Sequence, residues 1–122
     1  MVKETRETLI ATLREAEVKH TPEQIVDIRR TRDGRVIFLE NGHSWAGLRH
    51  IITRHEEDFV RSGIVREDIA HAVMTAVTEG EIVGMQGNRP VYEVSYKGQQ
   101  QLIAVTVSNN GYIVGANPAS LA

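Results

Sequence analysis

The segment Gly47-Leu48-Arg49-His50-Ile51-Ile52-Thr53-Arg54-His55 brings two imidazoles and two guanidiniums into one short stretch of a chain that has five histidines in all. Imidazole titrates near neutral pH and moves protons in either direction, while guanidinium stays charged and grips phosphate oxygens with paired donors. The chemistry these residues suit is acid/base work on a phosphate ester. On a helix at about 100° per residue, His50 lies away from the apolar stripe and nearly in line with Arg54. Trp45, Leu48, Ile52 and Phe59 form that stripe, and His55 lies on it. His55 therefore has two readings, a satisfied core histidine or a catalytic group pointing across the fold into a cleft.

Further along, Thr106 and Ser108 stand two apart, so on one strand their hydroxyls would share a face and could bind a phosphate oxygen. Equally, Thr106 could fill a β-branched strand position and Ser108 could open a turn. Tyr96 or Tyr112 could reach the same region, and Arg89, Lys97 and Arg35 are candidate phosphate contacts. His50 and His55 are spaced i, i+5 with no Glu between them, unlike a zinc-protease helix, and no carboxylate shell accompanies His43. No metal and no cofactor are expected. Gly-x-Ser-x-Gly and Gly-Lys-Ser/Thr signatures are absent.

These residues need elements to hold them. Residues 3–18 show helical spacing of Leu9, Ile10 and Leu13. Gln24–Arg29 and Arg35–Leu39 flank Asp33-Gly34 and predict a β-hairpin. After Asn41-Gly42, Ser44 could cap a helix from about Trp45 to Arg61, closed by Gly63, and a second helix runs from about Arg66 to Thr78, stopped by Gly80. Ile82-Val83, Pro90–Lys97, Gln101–Ser108 and Tyr112–Gly115 then read as an antiparallel meander turned at Lys97-Gly98 and Asn110-Gly111. Helices and strands are segregated, without a βαβ rhythm. The expected fold is α+β: N-terminal helices packed on a C-terminal antiparallel sheet of about four strands, with an additional hairpin.

A length of 122 residues and 41% apolar content suit one domain over 1–122, with an N-terminal helix in 1–20 and the core in 21–122. The chain has no cysteine, which excludes disulfides, thiolate metal sites and cysteine nucleophiles. No apolar run reaches membrane-spanning length, and the charged N-terminus does not read as a secretion signal. A net charge of −2 argues against a general nucleic-acid-binding module but allows an enzyme with a local cationic cleft.

The histidine segment, followed by a helix and by a sheet that closes on Ala104-Val105-Thr106-Val107-Ser108-Asn109-Asn110-Gly111-Tyr112-Ile113-Val114-Gly115-Ala116-Asn117-Pro118, resembles the toxin nucleases of the barnase/EndoU/colicin/RelE-like superfamily. The resemblance covers roughly residues 40–120 and is nearest to the C-terminal toxins of contact-dependent inhibition and phage polymorphic toxin systems. It implies a metal-independent ribonuclease acting on RNA, often transfer RNA, by 2′-hydroxyl attack to give a 2′,3′-cyclic phosphate. On that pattern the helix histidine falls on His50 or His55 and the strand hydroxyl on Thr106 or Ser108. The basic phosphate-binding residue falls on Arg54 or Arg89; Tyr112 and Lys97 are substrate-contact candidates from the reading of the strands alone. The resemblance also implies delivery into the cytoplasm of a target bacterium as the C-terminal part of a larger secreted protein. Residues 1–20 would then be the remnant of a delivery segment, and a cognate immunity protein would neutralise the toxin. The alternative is a non-catalytic protein-interaction module whose histidines are structural.

Overall fold

The computed structural model describes residues 3–120, and its elements are segregated as expected for an α+β protein. Helix α1 spans Arg6–Glu15, strands β1 (Ile25–Arg30) and β2 (Val36–Glu40) form a hairpin, and helices α2 (Leu48–Arg61) and α3 (Ile69–Glu79) follow. Strands β3 (Glu81–Gln86), β4 (Arg89–Tyr96), β5 (Gln99–Val107) and β6 (Ile113–Pro118) complete an antiparallel sheet in the order β3-β4-β5-β6.

Helix α1 starts where Thr5 and Thr8 exchange side-chain and backbone hydrogen bonds, a reciprocal cap that satisfies two otherwise orphaned N–H groups. Its Leu9, Ile10 and Leu13 pack with Ile25, Ile28 and Phe38 on one side of the hairpin. On the other side, Ile37 and Leu39 join a larger core with Ile51, Phe59, Val73, Met74, Ile103 and Val105. Strand β2 is thus buried on both faces, which is why Ile37-Phe38-Leu39 is an unbroken apolar run. Helix α3 lies between the hairpin and the four-stranded sheet and is the most buried helix, as its Ala72-Val73-Met74-Thr75-Ala76 run requires.

The meander turns follow their residues. Lys97 and Gly98 both take positive φ (49° and 81°), the signature of a two-residue turn that matches strand twist. At Gly111 (φ 95°) an added Cβ would lie 2.2 Å from the Val36 carbonyl oxygen, so only glycine lets the β5–β6 turn press against the hairpin. Strand alternation sends Tyr92, Val94, Tyr96, Ile103, Val105 and Ala116 toward the helices, and a register shift in β6 brings Ile113 to the same side. The intervening residues of β4, β5 and β6 face away, onto a side of the sheet that no helix covers.

Two local expectations are corrected. Helix α2 begins at Leu48, not Trp45; Gly47 (φ 87°) occupies the cap position, and no side chain, Ser44 included, caps it. Trp45 is not a core anchor. It is 81% exposed, because residues 43–46 form a tight turn closed by a bond from the His43 N–H to the Ala46 carbonyl.

Candidate functional site

A row of residues crosses the helix-free face of the sheet: Gln86 pairs with Arg89, Thr106 with Gly115, and the β4–β5 register sets Arg89 beside Thr106. Arg89 donates from Nε to Thr106 Oγ1 and from Nη1 to Asn117 Oδ1, each at 2.8 Å. Asn117 in turn donates from Nδ2 to Gln86 Oε1 at 2.7 Å. That last bond joins the first strand of the sheet to the last. Three inter-strand spacings of about 4.8 Å separate such strands in a flat sheet, too far for two short amides, so the face must be concave here. The concavity also accounts for Val91 and Ala104, which alternate onto this face yet are fully buried.

The floor of the concavity under the guanidinium is Gly115. A Cβ at this position would lie 2.9 Å from Arg89 Nη2, so the glycine leaves room for the arginine to lie flat against the strand. Half-buried, Arg89 has its pKa held below the ordinary arginine value by desolvation, but a guanidinium stays charged at neutral pH. Among the described residues no carboxylate pairs with it. Two of its five N–H groups are committed to neutral side chains, leaving Nη2 and part of Nη1 to an external acceptor. A rigidly held cation without a counter-ion in a concave surface is suited to an anion with oxygens to share.

Beyond the edge strand β6 lies the start of α2. The Gly47 N–H bonds the Val114 carbonyl at 3.0 Å, tying the helix to the strand next to Gly115. One turn in, His50 Nδ1 lies 2.9 Å from the Ser44 carbonyl. A carbonyl accepts only, so Nδ1 carries the proton and a neutral His50 has its lone pair on Nε2, the arrangement of a general base. The Tyr112 hydroxyl also borders this point, 3.2 Å from where a Gly47 Cβ would be. Burial first, and then the charge of Glu40, raise the Tyr112 pKa, so its phenol stays protonated.

On its other side the 43–46 turn helps to wall a cavity of about 490 Å³, lined among others by His20, Glu40, His43, Ser108 and Tyr112. The ring nitrogens of its two histidines are set in opposite senses. His20 Nδ1 faces the Val18 carbonyl at 2.7 Å, whereas His43 Nδ1 accepts from the Trp45 N–H at 3.2 Å.

The expected site residues therefore fall into separate groups. Arg89 and Thr106 meet, with Asn117 and Gln86 as members that sequence reasoning missed. The expectation that Thr106 and Ser108 share a face is corrected. A register shift between Thr106 and Val107 ends the regular pairing, and Ser108 turns to bond the Asn110 side chain at the cavity. His50 bonds the Ser44 carbonyl, and the Tyr112 hydroxyl borders Gly47, both at the start of α2. His55, half-buried, bonds Asp58 through Nδ1 at 3.0 Å, and Arg54 is exposed along a groove with Glu56, Glu57 and Asp58. Lys97 is spoken for by Asp68 at 2.7 Å, at the β4–β5 turn, and Arg35 bonds the Ser108 carbonyl. The signal for Asn117 was present in the sequence: asparagine is disfavoured inside a strand, and a strand asparagine asks for a reason. Among the described residues no cluster of His, Asp and Glu has the geometry of a metal site, and no helix is long and apolar enough to cross a membrane.

What the fold and this geometry define is an α+β protein with a half-buried arginine, held by neutral side chains, on the concave, helix-free face of its sheet. No protein-family model matches the chain, and no curated protein matches it either.

Proposed function

We propose that the protein is a metal-independent endoribonuclease that cleaves RNA by attack of a ribose 2′-hydroxyl on the adjacent phosphorus. The observation that carries the reading is Arg89, charged, half-buried, held by Thr106 and Asn117 and unpaired with any carboxylate among the described residues. A phosphodiester supplies the missing charge, and the free Nη2 edge offers donors to its non-bridging oxygens, where negative charge grows in the transition state. In this proposal the RNA strand spans the β6 edge from Arg89 to the start of α2, and His50 takes the 2′ proton on Nε2 as the 2′-oxygen bonds to phosphorus. The bond from phosphorus to the 5′-oxygen breaks, and that oxygen leaves with a proton from a second donor, a role open to Tyr112. The products are a 2′,3′-cyclic phosphate and a 5′-hydroxyl. In this reading His55, bonded to Asp58, is a structural histidine, and a toxin role with a cognate immunity protein belongs to the same proposal.

One observation favours a second reading, a protein-interaction module. The edge strand β3 exposes Ile82, Val83 and Met85, an apolar row with one side unpaired.

The deciding experiment incubates the purified protein with total bacterial RNA and a chelator, beside His50→Ala and Arg89→Ala variants of confirmed fold. Discrete fragments with cyclic phosphate ends, reduced about 10²-fold or more in both variants, would support the ribonuclease. Intact RNA with all three proteins folded would refute it and favour the interaction module.

A further inference from the structure

Resting on the ribonuclease reading, we infer that Trp45 is a stacking platform for an unpaired base, so that the substrate is a single-stranded stretch of RNA and not a duplex. Trp45 is the chain's one tryptophan and is 81% exposed, while Phe38, Phe59 and Tyr96 are buried and Tyr92 and Tyr112 are half-buried. Tryptophan pairs a large apolar face with a polar N–H edge, which suits it to recognition surfaces.

Its support is rigid. The turn is closed by the His43–Ala46 backbone bond, the Trp45 N–H donates to His43 Nδ1, and the Ser44 carbonyl accepts from His50. The turn is then tied to the sheet through Gly47 and Val114. The turn that carries Trp45 is thereby tied both to the proposed base His50 and to Val114, the residue before Gly115. Behind the turn, the 490 Å³ cavity offers room for a further nucleotide and a lining of polar groups for its edge.

A protein partner would look for something different. Hot-spot tryptophans sit at the centre of apolar patches, whereas His43, Ser44 and His50 surround this one and the exposed apolar row lies on β3, at the opposite edge of the sheet. Stacking on a lone ring is tolerant of sequence but needs a base whose face is free, which a duplex does not provide.

Because Trp45 is the only tryptophan, its fluorescence reports on itself alone. The test titrates the full chain with a short 2′-O-methyl oligoribonucleotide, which lacks the attacking hydroxyl, and with the same strand annealed to its complement. Anisotropy of a labelled strand measures binding independently. Saturable quenching by the single strand, at least about tenfold weaker binding of the duplex, and about five- to 150-fold weaker binding by Trp45→Ala, largely restored in Trp45→Phe, are expected. Single-strand binding with unchanged fluorescence and full affinity in Trp45→Ala would overturn the platform while leaving the ribonuclease standing. Equal quenching by the duplex would overturn it too, as would a fluorescence change that follows protein concentration without RNA, which would assign Trp45 to an interface between copies. Neither binding nor cleavage would overturn both readings.

Discussion

Gly115→Ala separates the arginine cradle from the stability of the fold. The backbone at Gly115 is not in the left-handed region, so alanine brings no conformational strain there. Its methyl group would lie 2.9 Å from Arg89 Nη2, 3.5 Å from Cζ and 3.6 Å from Nη1. Ordinary contacts begin near 3.5 Å, so the guanidinium must rise by about 0.5–1 Å. The end of an arginine moves more easily than a strand, so the arginine yields and its bonds to Thr106 and Asn117 stretch or break. Two such bonds at a partly exposed site are together worth about 1–3 kcal/mol, and replacing glycine by alanine returns about 0.4–1 kcal/mol through the unfolded chain. The expected net loss of stability lies between about 0 and 2.6 kcal/mol, a modest fall in Tm.

The functional loss should be much larger. A displacement of about 1 Å of a positioning group costs on the order of 10²-fold in rate. The assay is chelator-resistant cleavage of single-stranded RNA by Gly115→Ala, with thermal melts run beside it. Gly80→Ala serves as the control, since its added Cβ would meet the Ala76 and Glu93 carbonyl oxygens at 2.5 and 2.8 Å, which are backbone atoms that cannot swing away. That variant should lose stability before it loses specific activity. Gly115→Ala with wild-type cleavage would refute the claim that Arg89 must lie against β6 to work. A collapse in Tm for Gly115→Ala like that of Gly80→Ala would show that the glycine serves the sheet and not the arginine.

Two further outcomes test the same physics. Thr106→Val keeps the shape of the side chain but removes the acceptor for Arg89 Nε; about 1 kcal/mol of stability and about 3–6 °C in Tm should be lost, cleavage should fall about tenfold, and Thr106→Ser should restore both. Raising pH past the ordinary tyrosine range should destabilise the fold, since burial foremost raises the pKa of Tyr92, Tyr96 and Tyr112, and the folded state then holds protons that the unfolded chain releases. The stabilisation is complete below about pH 10 and is lost as pH rises through the folded-state values, at about 1 kcal/mol per pH unit after allowance for partial exposure. Lys97, raised by its bond to Asp68, acts in the same direction. Equilibrium unfolding in urea across alkaline pH, with phenolate absorbance followed in parallel, checks the slope; a flat profile would contradict it.

The elements were legible because each carries a periodicity that a single packing surface enforces. Leu9, Ile10 and Leu13 face the hairpin, and Val94, Tyr96, Ile103 and Val105 alternate toward α3 and α2. Trp45 misled because helical spacing extrapolates backward through any residue of the right type, while Gly47 at φ 87° holds the start of the helix two positions after Trp45, and the closeness of the two loop ends is a tertiary fact. At Gly42, whose added Cβ would lie 2.1 Å from the Ala46 carbonyl oxygen, that closeness forces the turn that throws Trp45 outward. The pairing of Thr106 with Ser108 failed for a related reason, since alternation holds only while the ladder is regular and the register slips after Thr106.

The site itself was legible one residue at a time and not as a set. Arg89 and Thr106 were both candidates, but nothing in spacing says that positions 89, 106 and 117 meet, because their contact depends on the register of three strands and on a sheet curved enough for Asn117 to reach Gln86. On the helix His50 points away from the apolar stripe, and the structure adds a second reason to single it out: the Ser44 carbonyl fixes which nitrogen carries its proton. The same logic gives Trp45 its importance. An aromatic ring that leaves the core, on a turn held by two histidine ring nitrogens and tied to the strand beneath Arg89, is where a chain with so few exposed aromatic groups would be expected to meet a base.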